Sequence, residues 1–299
     1  MAKLDVDAFL TPISDDAPCG PDLDFDGDLE FMNFMARAEG LLPQSYFSFD
    51  RAGLDLPRET AAIEALLDRT RDLRLVVLHA KLSILGRDLD GFARDLDVIA
   101  GALESRWAEV HPRGEGNDFV LRVVSVQSLD DTPDCLLPFQ FAPLFENRRT
   151  GPITWRAWQI ADGKVTPREG EATLDSGSIE RAILDTDLAE VIARRDRIAG
   201  IVTAIERIDA ASLEHGDYEN RINLEKLKAV ADAIARFLDA QVARRDPSAA
   251  REPPPDLAAA APAAGDDGTG PGGPALGAAP AAASPGASAT VAVRRDALR

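Results

Sequence analysis

The chain has 299 residues, with 51 acidic side chains against 33 basic ones, a net charge of −18 and a pI near 4.6. That balance leaves no basic stripe to neutralise phosphates and would repel an anionic lipid leaflet, so nucleic-acid and direct membrane partners are excluded and basic or neutral proteins are favoured. Two cysteines without a Cys-x-x-Cys make no disulfide framework, the acidic N-terminus is no signal peptide, and no stretch reaches the ~18 apolar residues of a membrane span. These features together point to a reduced, cytoplasmic compartment.

Residues 1–24 open on a short apolar turn (Leu4, Phe9, Leu10) and continue as an extended, turning stretch through Pro12, Pro18, Gly20 and Pro21. A short helix is expected over 29–38 and a loop or short strand over 44–56. The next helix starts at Pro57, a good first-turn residue, and runs to about Thr70. Asp72 to Leu85 is apolar on nearly all sides, the pattern of a helix buried between neighbours. Over 89–110, Leu89, Phe92, Leu96, Ile99, Leu103, Trp107 and Val110 form one helical stripe; Arg94, Asp95, Asp97, Glu104 and Arg106 lie opposite, and His111-Pro112 stops the helix.

Phe119 to Leu129 reads as helix and 130–150 as short helix and loop. Residues 153–160 alternate in polarity and precede Asp162-Gly163, so a small β-hairpin is expected there. Ser178 to Leu184 reads as a short turn. Two long helices follow, Asp187 to Ala211 and Tyr218 to Arg244, an antiparallel hairpin whose apolar stripe is buried either in the core or between copies of the chain. From 246 to 290 proline and alanine dominate, too little apolar bulk to offset ordering entropy. The expected fold class is therefore mainly α: a multi-helix N-terminal domain with a small β-hairpin over 1–175, a helical hairpin over 176–245, a disordered Pro/Ala-rich linker over 246–290, and the start of a missing or truncated C-terminal module at 291–299.

One motif hints at metal chemistry. Asp22, Asp24, Asp26 and Gly27 fall at the first, third, fifth and sixth positions of a calcium loop, with Asp28 beyond them. The twelfth position, where a glutamate would give two oxygens, is Asn33, and no helix enters the loop. The competing reading is an acidic loop in which Asp26 or Asp28 caps the following helix. His79, His111 and His215 lack the spacing of a zinc site; His79 reads as a core residue and His111 as a helix-end residue. There is no Gly-x-Ser-x-Gly and no phosphate-cradling glycine loop, and Cys19 has acids but no base beside it in sequence. No catalytic residue and no cofactor is assigned, and the chain reads as a non-enzyme.

Ordered motifs carry a resemblance. Pro12-Ile13-Ser14, Asp16, Pro18-Cys19-Gly20 and Asp22-Leu23 look like the opening signature of the TssA, or ImpA N-terminal, family of bacterial type VI secretion. Arg71-Asp72-Leu73-Arg74 is similar to its central helix start, and Leu103-Glu104, Trp107 and Val110-His111-Pro112 to its second hallmark. Arg122 sits where the family places an arginine, and Asn147-Arg148-Arg149 with Gly151-Pro152-Ile153-Thr154 resembles its small strand segment. Arg294 to Arg299 looks like the first turn of the family's C-terminal region. The resemblance implies a cytoplasmic, non-enzymatic assembly adaptor that contacts baseplate, tail tube or sheath and the membrane complex, and that forms a homo-oligomer. It also implies an architectural role for Pro12, Ser14, Pro18, Cys19, Gly20, Asp22 and Leu23, which would pin an extended segment against the bundle, and marks Trp107, His111, Pro112 and Arg122 as motif residues. A calcium-binding helical protein and a generic helical scaffold are the alternatives.

Overall fold

The computed structural model describes residues 4–116 and 118–249, and aspartates start most of its helices. Asp5, Asp55, Asp72, Asp88, Asp175 and Asp187 each accept a first-turn backbone N–H, at α1 (Val6–Leu10), α3 (Leu56–Leu67), α4 (Leu73–Leu85), α5 (Leu89–Arg106), α9 (Ser176–Asp185) and α10 (Leu188–Gly216). Asp28 accepts Phe31 N–H at 2.9 Å at the start of α2 (Leu29–Ala38). A carboxylate there satisfies an orphan donor and complements the helix dipole, worth about 1 kcal/mol per cap. Part of the chain's acidity is therefore structural punctuation.

The remaining elements are α6 (Val120–Gln127), α7 (Leu137–Phe141), the strands β1 (Pro143–Asn147) and β2 (Gly151–Thr154), α8 (Trp155–Ala161) and α11 (Glu225–Arg245). The fold is mainly helical with one antiparallel two-stranded hairpin. α4 is buried on nearly all sides, by α3, α5 and α6, as its largely apolar run requires. α5 buries its stripe against α4, while Ala93, Ala100 and Gly101 lie on a second buried face. A Cβ on Gly101 would stand 3.0 Å from Val6, so its absence lets α1 approach. α10 packs along α5, and Arg207 of α10 reaches Asp97 and Glu104 (2.6 Å) across the contact. Val191, Ile198, Ile201, Ile205 and Ile208 of α10 and Leu227, Ile234 and Leu238 of α11 are thus buried within one chain. Of the two fates open to this stripe, the core is the one observed.

The hairpin lies earlier than alternation at 153–160 suggests. β1 pairs with β2 around a turn at 148–150, where Asn147 Oδ1 accepts Arg149 N–H (2.9 Å). Thr154 then caps a helix by accepting Ala157 N–H (3.1 Å), and the chain from Trp155 is α8, not strand. The reason is tertiary: Trp155 and Trp158, one helical turn apart, both stack on Phe237 of α11, with centroids 5.7 and 4.6 Å away. Ser176–Asp185 is a full helix rather than a turn.

α11 also starts later than expected, at Glu225 rather than Tyr218. Its first N–H groups have no local cap. Asp130 supplies one from across the fold, accepting Leu227 N–H at 2.7 Å and Lys226 N–H at 3.2 Å. The preceding loop is held by Ser212 Oγ, which accepts Ile222 N–H (2.9 Å), and by Asn220. Of the expected linker only Asp246 to Ala249 is described, a short turn whose Ala249 carbonyl accepts from Arg195 (2.6 Å); the rest of 246–290, and 291–299, lie outside the described residues.

His79 illustrates the buried polar inventory. Its Nδ1 is 2.9 Å from both carboxylate oxygens of Asp95, which also accepts Ser83 Oγ–H (2.9 Å). Burial alone would lower the His79 pKa, but the hydrogen bond and charge of Asp95 override it and raise it above the ordinary 6.5. Because the folded value is the higher one, this stabilisation is complete below about pH 6.5 and is lost as pH rises through the folded midpoint. NMR titration of the His79 ring should give a midpoint above 6.5, and Asp95→Asn should drop it below that value, because burial, the largest influence, then faces only the weaker charge of Glu64, itself opposed by Arg94. An unmoved midpoint in the variant would refute the pairing.

Candidate functional site

The motif residues converge on one buried knot at the end of α5. Arg122, on α6, is fully buried among carbonyl oxygens and forms no ion pair there. Its Nη1 donates to Trp107 O (2.7 Å), its Nη2 to Val110 O (2.6 Å) and Pro112 O (2.9 Å), and its Nε to Pro112 O (3.2 Å). The same guanidinium lies 4.8 Å from the ring centroids of Trp107 and Phe119. Helix ends leave carbonyls without partners; here a rigid planar fork satisfies that of Trp107, the C-cap of α5, together with those of Val110 and Pro112 in the turn beyond it. Burial pushes the Arg122 pKa down to about 10, still high enough to keep it charged at neutral pH.

The extended N-terminal segment is tied to the same knot. Ser14 Oγ accepts Ala17 N–H (3.1 Å) and Ile13 N–H donates to Pro18 O (2.9 Å), which closes a tight loop whose Pro12 end stays exposed. Arg71 N–H donates to Cys19 O (2.8 Å), and Thr70 Oγ1–H to Pro21 O (2.8 Å). His111, wholly buried, has Nε2 3.2 Å from Gly20 O and Nδ1 3.3 Å from Asp22 Oδ2. The backbone on either side of His111 pairs with Arg71 and Leu73: His111 N–H donates to Arg71 O (2.9 Å) and Leu73 N–H to His111 O (2.8 Å). Gly20 is at φ +71°, and a Cβ there would stand 2.4 Å from Arg69 O. Cys19 and Leu23 are buried beneath the segment.

Cys19 has no base beside it in sequence, but the fold brings Arg71, Arg106 and Arg113 within electrostatic reach. Burial, helped by Glu109, still dominates and pushes the thiol up, so it is no activated nucleophile. Burial likewise pushes the Cys135 thiol up.

The calcium-loop candidate does not form a shell. Asp24 pairs with Arg74 (2.6 Å), which also holds Asp72 (2.7 Å); Asp28 pairs with Arg69, which also reaches Glu30 (3.1 Å). Asp22 accepts Phe25 N–H (3.2 Å), and Asn33 lies on the exposed face of α2. Among the described residues no group of three or more His, Cys, Asp or Glu is placed to hold a metal ion. Arginine faces Asp24 and Asp28 where a cation would have had to.

Sequence reading missed the contribution from the far end of the chain. Asn220 Oδ1 accepts Phe119 N–H (3.1 Å), His215 lies 5.9 Å from the Trp107 ring, and Gly216 is so close to Trp107 that a Cβ would stand 2.6 Å from it. No local signal marks these residues; only the α10–α11 connection places them there.

Residues 10–131, from the end of α1 to just past α6, match the family described as ImpA, N-terminal, type VI secretion system. That window holds every motif residue of the knot. Over that window the chain is similar to the ImpA N-terminal (TssA) family. Along 99% of its length it is 28% identical to the type VI secretion system component TssA1 of Pseudomonas aeruginosa, of which it covers 83%. Its fold is similar to the N-terminal domain, including the conserved ImpA_N region, of the TssA component from Burkholderia cenocepacia: TM-score 0.63 at 19% identity, over 81% of this chain and 95% of that one. Among the described residues no helix is long and apolar enough to cross a membrane.

Proposed function

We propose that this chain is a non-enzymatic assembly adaptor of a type VI secretion apparatus, contacting baseplate, tail tube or sheath, or the membrane complex during tail assembly. The observation that carries this reading is the similarity to TssA1 along almost the whole chain, joined to the family match over residues 10–131. The knot supports it from another side, because Arg122, Thr70 and His111 Nε2 spend their hydrogen bonds on backbone carbonyls, a structural use rather than a catalytic one. In this reading residues 1–175 are the partner-binding domain and 176–245 the hairpin that buttresses it. Self-association would use a surface other than the buried α10–α11 stripe.

A cross-linked affinity pull-down of the tagged full chain from its own cells, under secretion-active conditions, tests the reading by mass spectrometry. Enrichment of baseplate, sheath or tube components is expected. Recovery of only the chain itself or of unrelated metabolic enzymes would sink it.

A further inference from the structure

Six of the large apolar side chains that stand exposed gather on or beside two short helices, α2 and α6. Leu29 (74% exposed), Met32 (47%), Met35 and Ala36 recur at helical spacing on the outer face of α2. Leu121 (63%) and Val124 (62%) do the same on α6, with Val120 beside them and Phe25 leading into α2. Between the two helices lies a cleft of about 360 Å³, floored by Val77 and Leu78 of α4 and walled by Met35 and Ala36 on one side and Ser125 and Ser128 on the other. Leu121, Val124 and Ser125 of α6 and Ser128, its C-cap, follow the three-and-four spacing of one face, so the exposed pair continues the wall the serines begin. Soluble proteins rarely leave a contiguous apolar surface of this kind uncovered.

We infer that this groove between α2 and α6 is the docking site for an amphipathic helix, apolar on one face and basic at its ends, supplied by a different protein. A largely apolar groove between two helices, floored by Val77 and Leu78, suits a helix laid in it, and methionine on the wall adapts to a partner's side chains. The charge at the groove's ends sets the occupant's chemistry. Arg74 and Lys81, two turns apart on α4, line the groove but are already paired, with Asp72 and Asp24 and with Asp134 (2.8 Å). Each cation faces two acids, Arg74 with Asp72 and the half-exposed Asp24, Lys81 with Asp134 and the 60% exposed Asp131 (3.8 Å), so both ends carry a net negative charge toward solvent. A second copy would bring another −18 to the encounter, so a basic partner fits and a copy of this chain does not. The assignment rests on the adaptor reading only for the partner's origin; the groove's chemistry stands without it.

The test uses the full chain and a labelled model helix of about 16 residues, leucine along one face and lysine at both ends, followed by fluorescence anisotropy at ~0.15 M salt. A scrambled peptide of the same composition keeps the charge and loses the stripe. Met32→Glu and Val124→Glu each add an acid, so they would tighten a merely electrostatic association. Docking in the groove predicts the opposite, binding weakened about tenfold or more, because a carboxylate is buried against leucine. Leu213→Glu, the same change on an exposed residue of α10, should leave binding unaltered. Groove variants that bind equally well or better, no binding by the chain, or equal binding of the scrambled peptide each overturn the proposal. So does self-association on ultracentrifugation that Val124→Glu abolishes, which assigns the groove to a second copy. Groove-dependent binding of a peptide of residues 288–299 would overturn it as well, by assigning the groove to this chain's own tail. The pull-down can fail while the peptide binds, or succeed while it does not, so the two readings fall separately.

Discussion

Arg122→Met should destabilise the protein by about 3–6 kcal/mol, because the apolar side chain fills the space and leaves three buried carbonyls, of Trp107, Val110 and Pro112, without a donor. Each unsatisfied buried acceptor costs about 1–3 kcal/mol, against a total stability of about 5–15 kcal/mol for a typical domain. The variant is therefore expected to populate unfolded chain without denaturant or to melt far earlier. Urea unfolding followed by far-UV circular dichroism measures the difference. Arg122→Lys keeps a charge but replaces a planar fork that reaches three carbonyls by a single ammonium, so its loss should be smaller. A loss below about 1 kcal/mol for Arg122→Met would mean that water or a shifted loop satisfies these carbonyls. The knot would then not be the stabilising feature described above.

Gly20→Ala should cost about 2–4 kcal/mol, from two separable causes. The first is conformational: a side chain at φ +71° is disfavoured by about 1–2 kcal/mol. The second is steric. The new Cβ would lie 2.4 Å from the backbone oxygen of Arg69, which cannot swing away as a flexible side chain could. To relieve the clash the N-terminal segment must lift, and the bonds from Arg71 to Cys19, Thr70 to Pro21 and His111 to Gly20 must lengthen. Gly27→Ala is the control: its φ is +69°, but nothing lies within 4 Å of its Cβ position, so it reports the conformational cost alone. The excess loss in Gly20→Ala over Gly27→Ala, measured by thermal unfolding, is the steric part. Cys19 provides a second reading, since its buried thiol should react faster with a disulfide reagent once the segment lifts. Equal losses in the two variants with unchanged thiol reactivity would show that the segment is not tightly held.

Much of this protein was legible in one dimension. α2 begins and ends where its periodicity places it, α4 is buried on nearly all sides as a largely apolar run demands, and α5 carries its stripe at helical spacing. These features depend on residues within a few positions of each other, where backbone geometry converts spacing directly into faces. The motif residues at 12–23, 71–74, 107–112 and 122 were legible as well, but only as a resemblance. That they meet in one place, with arginine serving carbonyls rather than acids, follows from how α4, α5 and α6 pack.

Tertiary structure alone decided the rest. Alternation at 153–160 looked like a strand because a period of two and a pair of tryptophans three apart share the same letters. Contact with Phe237 resolves it in favour of helix. α11 starts where Asp130 can cap it, and Asp130 is remote in sequence. The acids at 22–28 matched a calcium loop by spacing, yet Arg74 stands opposite Asp24 and Arg69 opposite Asp28, and the two take their charge. In each case local sequence determined what a segment could do, and the partner across the fold determined what it did, because burial and charge depend on neighbours that spacing along the chain does not specify.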